Sequence, residues 1–185
     1  MENLDTYSSK VELDDSRLKL FCARNGLEYH ELDLQSLHSS GTNASTVPKY
    51  FFIYTGSEKN SANEGNTHHW MFCYGNYIFD SYGSLETRFK VPEQFRPVKT
   101  FPRRLQSFDS DVCGEYCCAF YSFVSHEQEK DFANLGQDFC NAFEFTQDTD
   151  ENDKKVLQWF KENSTGNATT GRQGNESASD EEITQ

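Results

Sequence analysis

HWMFCYGNYIFDS, residues 69–81, consists of two apolar runs flanking Gly75-Asn76. That pair suits a two-residue loop with positive φ, so the stretch predicts a β-hairpin. With Gly75 and Asn76 as the loop, Tyr74 pairs with Tyr77 and Met71 lies opposite Asp80. Side chains alternate across a strand, which puts His69 on the face of Met71 and Asp80 and sends His68 to the other face. His69 and Asp80 then become diagonal neighbours with Cβ atoms about 7 Å apart, within reach of an imidazole to carboxylate hydrogen bond. A three-residue loop would exchange the two histidines.

Outward from the hairpin, LQSFDSDVCGEYCCAF (residues 105–120) offers Asp109, Ser110 and Asp111 as helix caps. They precede a run in which Cys113, Tyr116, Cys117, Phe120, Tyr121 and Val124 fall on one helical stripe, so Cys113 is expected in the first turn of a buried helix. Upstream, Lys49 to Tyr54 (KYFFIY) follows Pro48, runs into Gly56 and reads as a buried strand. Leu18, Phe21 and Cys22 recur at helical steps between Asp14 and Asn25, with Gly26 placed to terminate. From Leu27 to Gly41 two- and three-residue spacings are mixed, and periodicity does not decide between loop and strand. Gly83 to Arg104, with Pro92, Pro97 and Pro102, predicts loop or edge strand. Helices are expected within Glu129–Phe143 and over Glu151–Lys161, the latter with Val156, Trp159 and Phe160 inward.

Sixteen Phe, nine Tyr and two Trp in 185 residues supply one packed core, assigned to residues 1–162. Residues 163–185 hold Ile183 as their one large apolar side chain and read as a disordered, acidic, polar tail. A formal charge of −13 disfavours nucleic acid as a partner, and the modest cluster of Arg96, Lys99, Arg103 and Arg104 is too sparse to override it. With no apolar run of membrane-spanning length and no signal-like amino terminus, the expectation is a soluble, intracellular monomer in host cytoplasm, nucleus or virion. The sequons at Asn43, Asn163, Asn167 and Asn175 are then inert. The six cysteines are expected as free thiols, five of them as small core hydrophobes.

Four residues carry chemistry. A helix start favours thiolate, making Cys113 a candidate nucleophile; His69 is a base, Asp80 an acid to orient it, and Gln106 a side-chain amide able to donate to an oxyanion. Gly114 would let a substrate backbone approach closely. Each residue alone has an ordinary structural explanation, and it is their joint occurrence that points to a thiol hydrolase. No cofactor is implied. A zinc site from His68, His69, Cys73, Cys113, Cys117 and Cys118 is disfavoured, because no C-x-x-C pair exists and adjacent helical cysteines diverge.

The order His69-Trp70, then Phe79-Asp80-Ser81-Tyr82-Gly83, then Gln106 seven positions before Cys113-Gly114, resembles the adenain family of adenovirus-type cysteine proteases. It is also similar to the related SUMO and other ubiquitin-like-protein proteases. The similarity is most specific from His69 to Val124 and weaker around Leu18, Lys49–Tyr54 and the last helix. It implies a single-domain α+β fold in which the nucleophile's helix packs on a mostly antiparallel sheet. It further implies a cysteine endopeptidase of viral or virus-derived origin that cleaves precursor proteins beside glycine through His69, Asp80 and Cys113. Trp70 beside the base suits a narrow groove for residues without side chains. The alternatives are a protease acting on ubiquitin-like conjugates and a non-catalytic interaction module. The chain departs from adenain in carrying Asp80 in place of glutamate, in its short histidine-to-acid spacing, and in lacking a cysteine between Ser81 and Gln106.

Overall fold

The computed structural model describes residues 13–33, 47–55, 69–83, 99–126 and 131–165. Among the described residues are five strands and four helices: α1 (Asp15–Arg24), β1 (Glu31–Asp33), β2 (Tyr50–Tyr54), β3 (Trp70–Tyr74), β4 (Tyr77–Phe79), β5 (Lys99–Thr100), α2 (Cys113–Ser125), α3 (Leu135–Ala142) and α4 (Thr149–Ser164). The fold is α+β, with one sheet in the order β1-β2-β3-β4-β5. Its three central strands are antiparallel, whereas β1 joins β2 and β5 joins β4 in parallel. The sheet is therefore mixed, a correction to the mostly antiparallel sheet expected. The edge strands are two and three residues long, too short for a pattern of alternating side chains to declare them. His68, Gly56, Pro92, Pro97, Arg96 and residues 166–185, with most of the expected tail, lie outside the described residues.

The hairpin forms in the expected register, with Tyr74 opposite Tyr77 and Phe72 opposite Phe79. Gly75 takes a φ of 55°, and Asn76 does not join it among the positive-φ residues, so the positive backbone angle falls on the glycine alone. All five residues of β3 are buried. Trp70, Phe72 and Tyr74 face the main core with α2, while Met71, Cys73 and Ile78 form a smaller cluster with Phe51 and Ile53.

Helix α2 is the centre of the molecule. Ten of its residues are buried, and Phe120 stacks on Phe79 at 4.6 Å between ring centroids and on Tyr77 at 5.7 Å. Such aromatic pairs add about 0.5–1.5 kcal/mol each beyond their burial. The expected caps do not form: Val112 is the N-cap and makes no side-chain capping bond, while the Ser110 hydroxyl donates to Ser107 O at 3.2 Å. By contrast, α1 has a side-chain cap: Asp14 accepts from Arg17 N at 2.9 Å.

Helix α4 continues through Ser164, three residues beyond the sequence-based end at Lys161. The extension is tertiary in origin. Asn25 Nδ2 donates to Asn163 O at 3.2 Å and the Arg24 guanidinium to Ser164 O, so the end of α1 satisfies carbonyls that would otherwise be orphaned. Phe21 stacks on Phe160 at 5.4 Å and seals the same contact.

Candidate active site

His69 is the residue immediately before β3, and Asp80 the residue immediately after β4. The hairpin register brings these two positions to the same end of the sheet. Backbone contacts fix the histidine, since its carbonyl accepts from both the N–H and the hydroxyl of Thr55 at 3.1 Å. His69 Nε2 lies 2.7 Å from Asp80 Oδ1. The pair is 4% and 2% exposed, so solvent screens it little. Asp80 Oδ1 also accepts from Tyr82 N at 2.9 Å, and the Tyr82 ring lies against the imidazole at 4.8 Å.

Cys113 opens α2, and its Sγ accepts from Trp70 N at 3.4 Å. The sulfur therefore sits beside the residue that follows His69, at the strand end where the histidine and aspartate meet. Nε2 is engaged by Asp80, so any proton that this ring exchanged with a thiol would pass through Nδ1. An uncapped helix start adds the positive end of the backbone dipole beside the sulfur.

Gln106 is fully buried and held at both ends of its amide. Ser81 Oγ donates to its Oε1 at 2.6 Å, and its Nε2 donates to Ser110 O at 2.7 Å. The amide has a second N–H, and the bonds to Ser81 and Ser110 define which side of the group is the donor. Ser81 O in turn accepts from Leu105 N at 2.8 Å and Gln106 N at 3.1 Å, tying this loop to the residue next to Asp80. From below, Asp153 accepts from Ser107 N at 3.2 Å, the Tyr116 hydroxyl lies 2.9 Å from Asp153 Oδ1, and Asn152 Nδ2 donates to Leu105 O at 3.4 Å. Burial raises the Asp153 carboxyl, and its hydrogen bonds oppose that shift.

Two expected substrate contacts have other occupations. A Cβ at Gly114 would lie 2.8 Å from Leu13 Cβ, so the close approach this glycine permits is made by Leu13 of the same chain rather than by a substrate backbone. Trp70 is 2% exposed, and its Nε1 donates to Leu13 O at 2.8 Å, which makes the indole a wall as well as core.

Sequence reading quoted Ser81 and Tyr82 in the motif around Asp80 without giving them a role, and did not single out Leu13, Asn152 or Asp153. For Asn152 and Asp153 a signal existed: both precede Val156 and Phe160 at helical spacing on the inward stripe of α4, where an acid and an amide need partners. The remaining cysteines are structural. Burial pushes the Cys22 and Cys73 thiols up to about 12, and those of Cys117 and Cys118 well above the usual value. None of the six cysteines forms a disulfide.

Among the described residues no group of three or more His, Cys, Asp or Glu side chains is placed to hold a metal ion, and no helix is long and apolar enough to cross a membrane. Lys99 and Arg103 direct their charges to main-chain carbonyls of Ala133, Phe145 and Thr146, and Arg104 lies over the Phe108 ring at 4.0 Å. No protein-family model matches the chain, and no curated protein matches it.

Proposed function

We propose that the chain is an adenain-like cysteine endopeptidase that cleaves protein precursors at glycine-containing sites. The observation that carries this reading is the buried 2.7 Å pair of His69 and Asp80 at the strand end where the Cys113 sulfur meets the Trp70 N–H. A base, an orienting acid and a thiol at a helix start are the parts that acyl transfer by a thiol requires, and the sequence order of those parts supplies the family resemblance.

In the proposed reaction His69 Nδ1 takes the Cys113 proton and the thiolate attacks the peptide carbonyl carbon. The carbonyl π electrons move to oxygen, where the second N–H of Gln106 and the Cys113 backbone N–H meet the developing charge. Collapse of the tetrahedral species breaks the C–N bond, and His69 returns its proton to the departing amine. A water deprotonated by His69 then attacks the thioester, releasing the carboxylic acid and regenerating the thiol. Asp80 stays ionised and holds the ring throughout. Cys113 is 3% exposed, and so deep a sulfur is reached most easily by substrate backbone without a side chain, in keeping with glycine at the cleavage site.

The test is mass spectrometry of products from co-expressed precursor proteins and from glycine-containing peptides. Cleavage beside glycine is expected. A stable Cys113 adduct with a ubiquitin-like modifier carrying a carboxy-terminal electrophile, without precursor cleavage, would move the substrate class to such conjugates. Neither product nor adduct would end the enzymatic reading.

The oxyanion role has its own expected outcome. Gln106→Ala should lower kcat by roughly 10²–10³-fold with KM little changed, because the lost donor acts on charge that exists only in the transition state. Ser81→Ala should reproduce part of that loss, since its hydroxyl is what holds the amide oxygen away from the carbonyl site. Steady-state kinetics on a fluorogenic peptide measures both; a Ser81→Ala enzyme with full kcat would remove Ser81 from the arrangement.

A further inference from the structure

A cavity of about 250 Å³ is lined by Leu13, Asp14, Asp15, Glu31, Tyr54 and Trp70. Two contacts join it to the reacting end. Trp70 lends its backbone N–H to Cys113 Sγ at 3.4 Å, and Leu13 fills the space against Gly114, so one wall of the cavity is also the wall of the candidate nucleophile. The indole N–H on Leu13 O at 2.8 Å locks those two wall residues together.

The walls differ in chemistry. On one side Tyr54 and Trp70 present aromatic rings 4.7 Å apart. The other carries three carboxylates. Asp15 is paired with Lys19 at 3.1 Å, but Asp14 accepts from a backbone N–H and Glu31 from the Tyr29 hydroxyl at 2.5 Å, neutral donors that do not cancel a charge. The cavity is smaller than the roughly 300–1,000 Å³ common for whole small molecules and matches one long side chain. Aromatic faces for an aliphatic stem and carboxylates for its head are complementary to lysine or arginine.

We infer that this cavity is a specificity subsite that takes a basic side chain of the substrate, from a residue within about four positions of the scissile bond in an extended chain. The inference rests on the endopeptidase reading above and adds the substrate's charge to it. Asp14 and Glu31 select the cation; Tyr54 and Trp70 orient its stem. The acidic wall also works against substrates carrying aspartate or glutamate at the same position, because like charges would meet there.

The experiment uses glycine-containing peptides that differ at one position, carrying arginine, lysine, norleucine or glutamate at each of four places on either side of the glycine. Cleavage by the wild-type protein is measured alongside binding of the same peptides to Cys113→Ala protein by fluorescence anisotropy. At one position the basic peptides should be favoured over norleucine by about tenfold or more in both kcat/KM and affinity. That preference should fall below about threefold in the Glu31→Gln/Asp14→Asn protein, in which asparagine can still cap α1, and in about 0.5 M salt. Equal treatment of arginine and norleucine at every position, or a preference that the double substitution leaves intact, overturns the subsite. Cleavage without preference refutes the subsite alone; preferential binding without cleavage by the wild type refutes the endopeptidase alone.

Discussion

Cys113→Ala protein is expected to lose peptide cleavage by roughly 10⁶-fold and, with it, all rapid alkylation by iodoacetamide at about pH 7.5. The cleavage loss follows from the mechanism, since no other thiol stands at the strand end occupied by His69 and Asp80. Selective alkylation follows from the contrast among the cysteines. The Cys22 and Cys73 thiols are pushed up to about 12 by burial. At about pH 7.5 such a thiol is ionised in roughly one molecule in 30,000. Cys117 and Cys118 are completely enclosed and shifted further in the same direction. Cys113 alone opens a helix with an uncapped start. Mass-spectrometric mapping after brief alkylation of the native protein should therefore find the label on Cys113. Equal labelling of several cysteines, or undiminished labelling of the alanine variant, would contradict this assignment. The same burial makes the fold sensitive to alkali. Folded thiols ionise above the usual value of 9.0, so their contribution to stability is complete below that pH and is lost as pH rises toward about 12. Thermal unfolding of the alanine variant should show Tm falling across that range.

Asp80→Asn is expected to lower kcat by roughly 10⁴-fold while leaving the fold intact, by analogy with orienting acids in other His-dependent acyl-transfer enzymes. Asp80 Oδ1 receives two donors, His69 Nε2–H at 2.7 Å and Tyr82 N–H at 2.9 Å. An asparagine placed to keep its oxygen on those donors would preserve the contacts but lose the charge that stabilises the imidazolium. Turned the other way, its NH₂ would face Nε2, force the proton onto Nδ1 and leave no acceptor for the thiol. Either outcome damages the base without touching the substrate, so kcat should fall with KM nearly unchanged. Iodoacetamide reactivity against pH supplies a readout that simple unfolding would not reproduce: the low-pH limb of Cys113 alkylation should shift upward as the thiolate loses its charged partner. A variant within about tenfold of wild-type kcat would show that Asp80 serves the fold instead.

Local patterns carried much of the structure. The hairpin register was legible because Gly75 is one of few positions where positive φ comes without steric cost, and a two-residue turn leaves one pairing. The stripe from Cys113 to Val124 was legible because its apolar residues repeat at helical spacing. Harder to read were Glu31–Asp33 and Lys99–Thr100, short strands whose pairing is chosen by neighbouring backbone rather than by their own side chains. The capping acids before α2 were misleading for a related reason, since Ser110 is drawn into the turn that holds Gln106.

For the candidate site, sequence by itself determined which residue types were available and that the hairpin would bring position 69 near position 80. Both residues stand one step outside the paired strands, where alternation between sheet faces no longer directs a side chain. Tertiary structure decided the rest: Tyr82 N holds the Asp80 carboxylate, α2 brings its sulfur to Trp70, and Ser81, the acid's own neighbour, ties Gln106 to this corner. Local periodicity can place a side chain on an element, but a contact between residues 43 positions apart depends on how complete elements pack, and that packing is a property of the whole core.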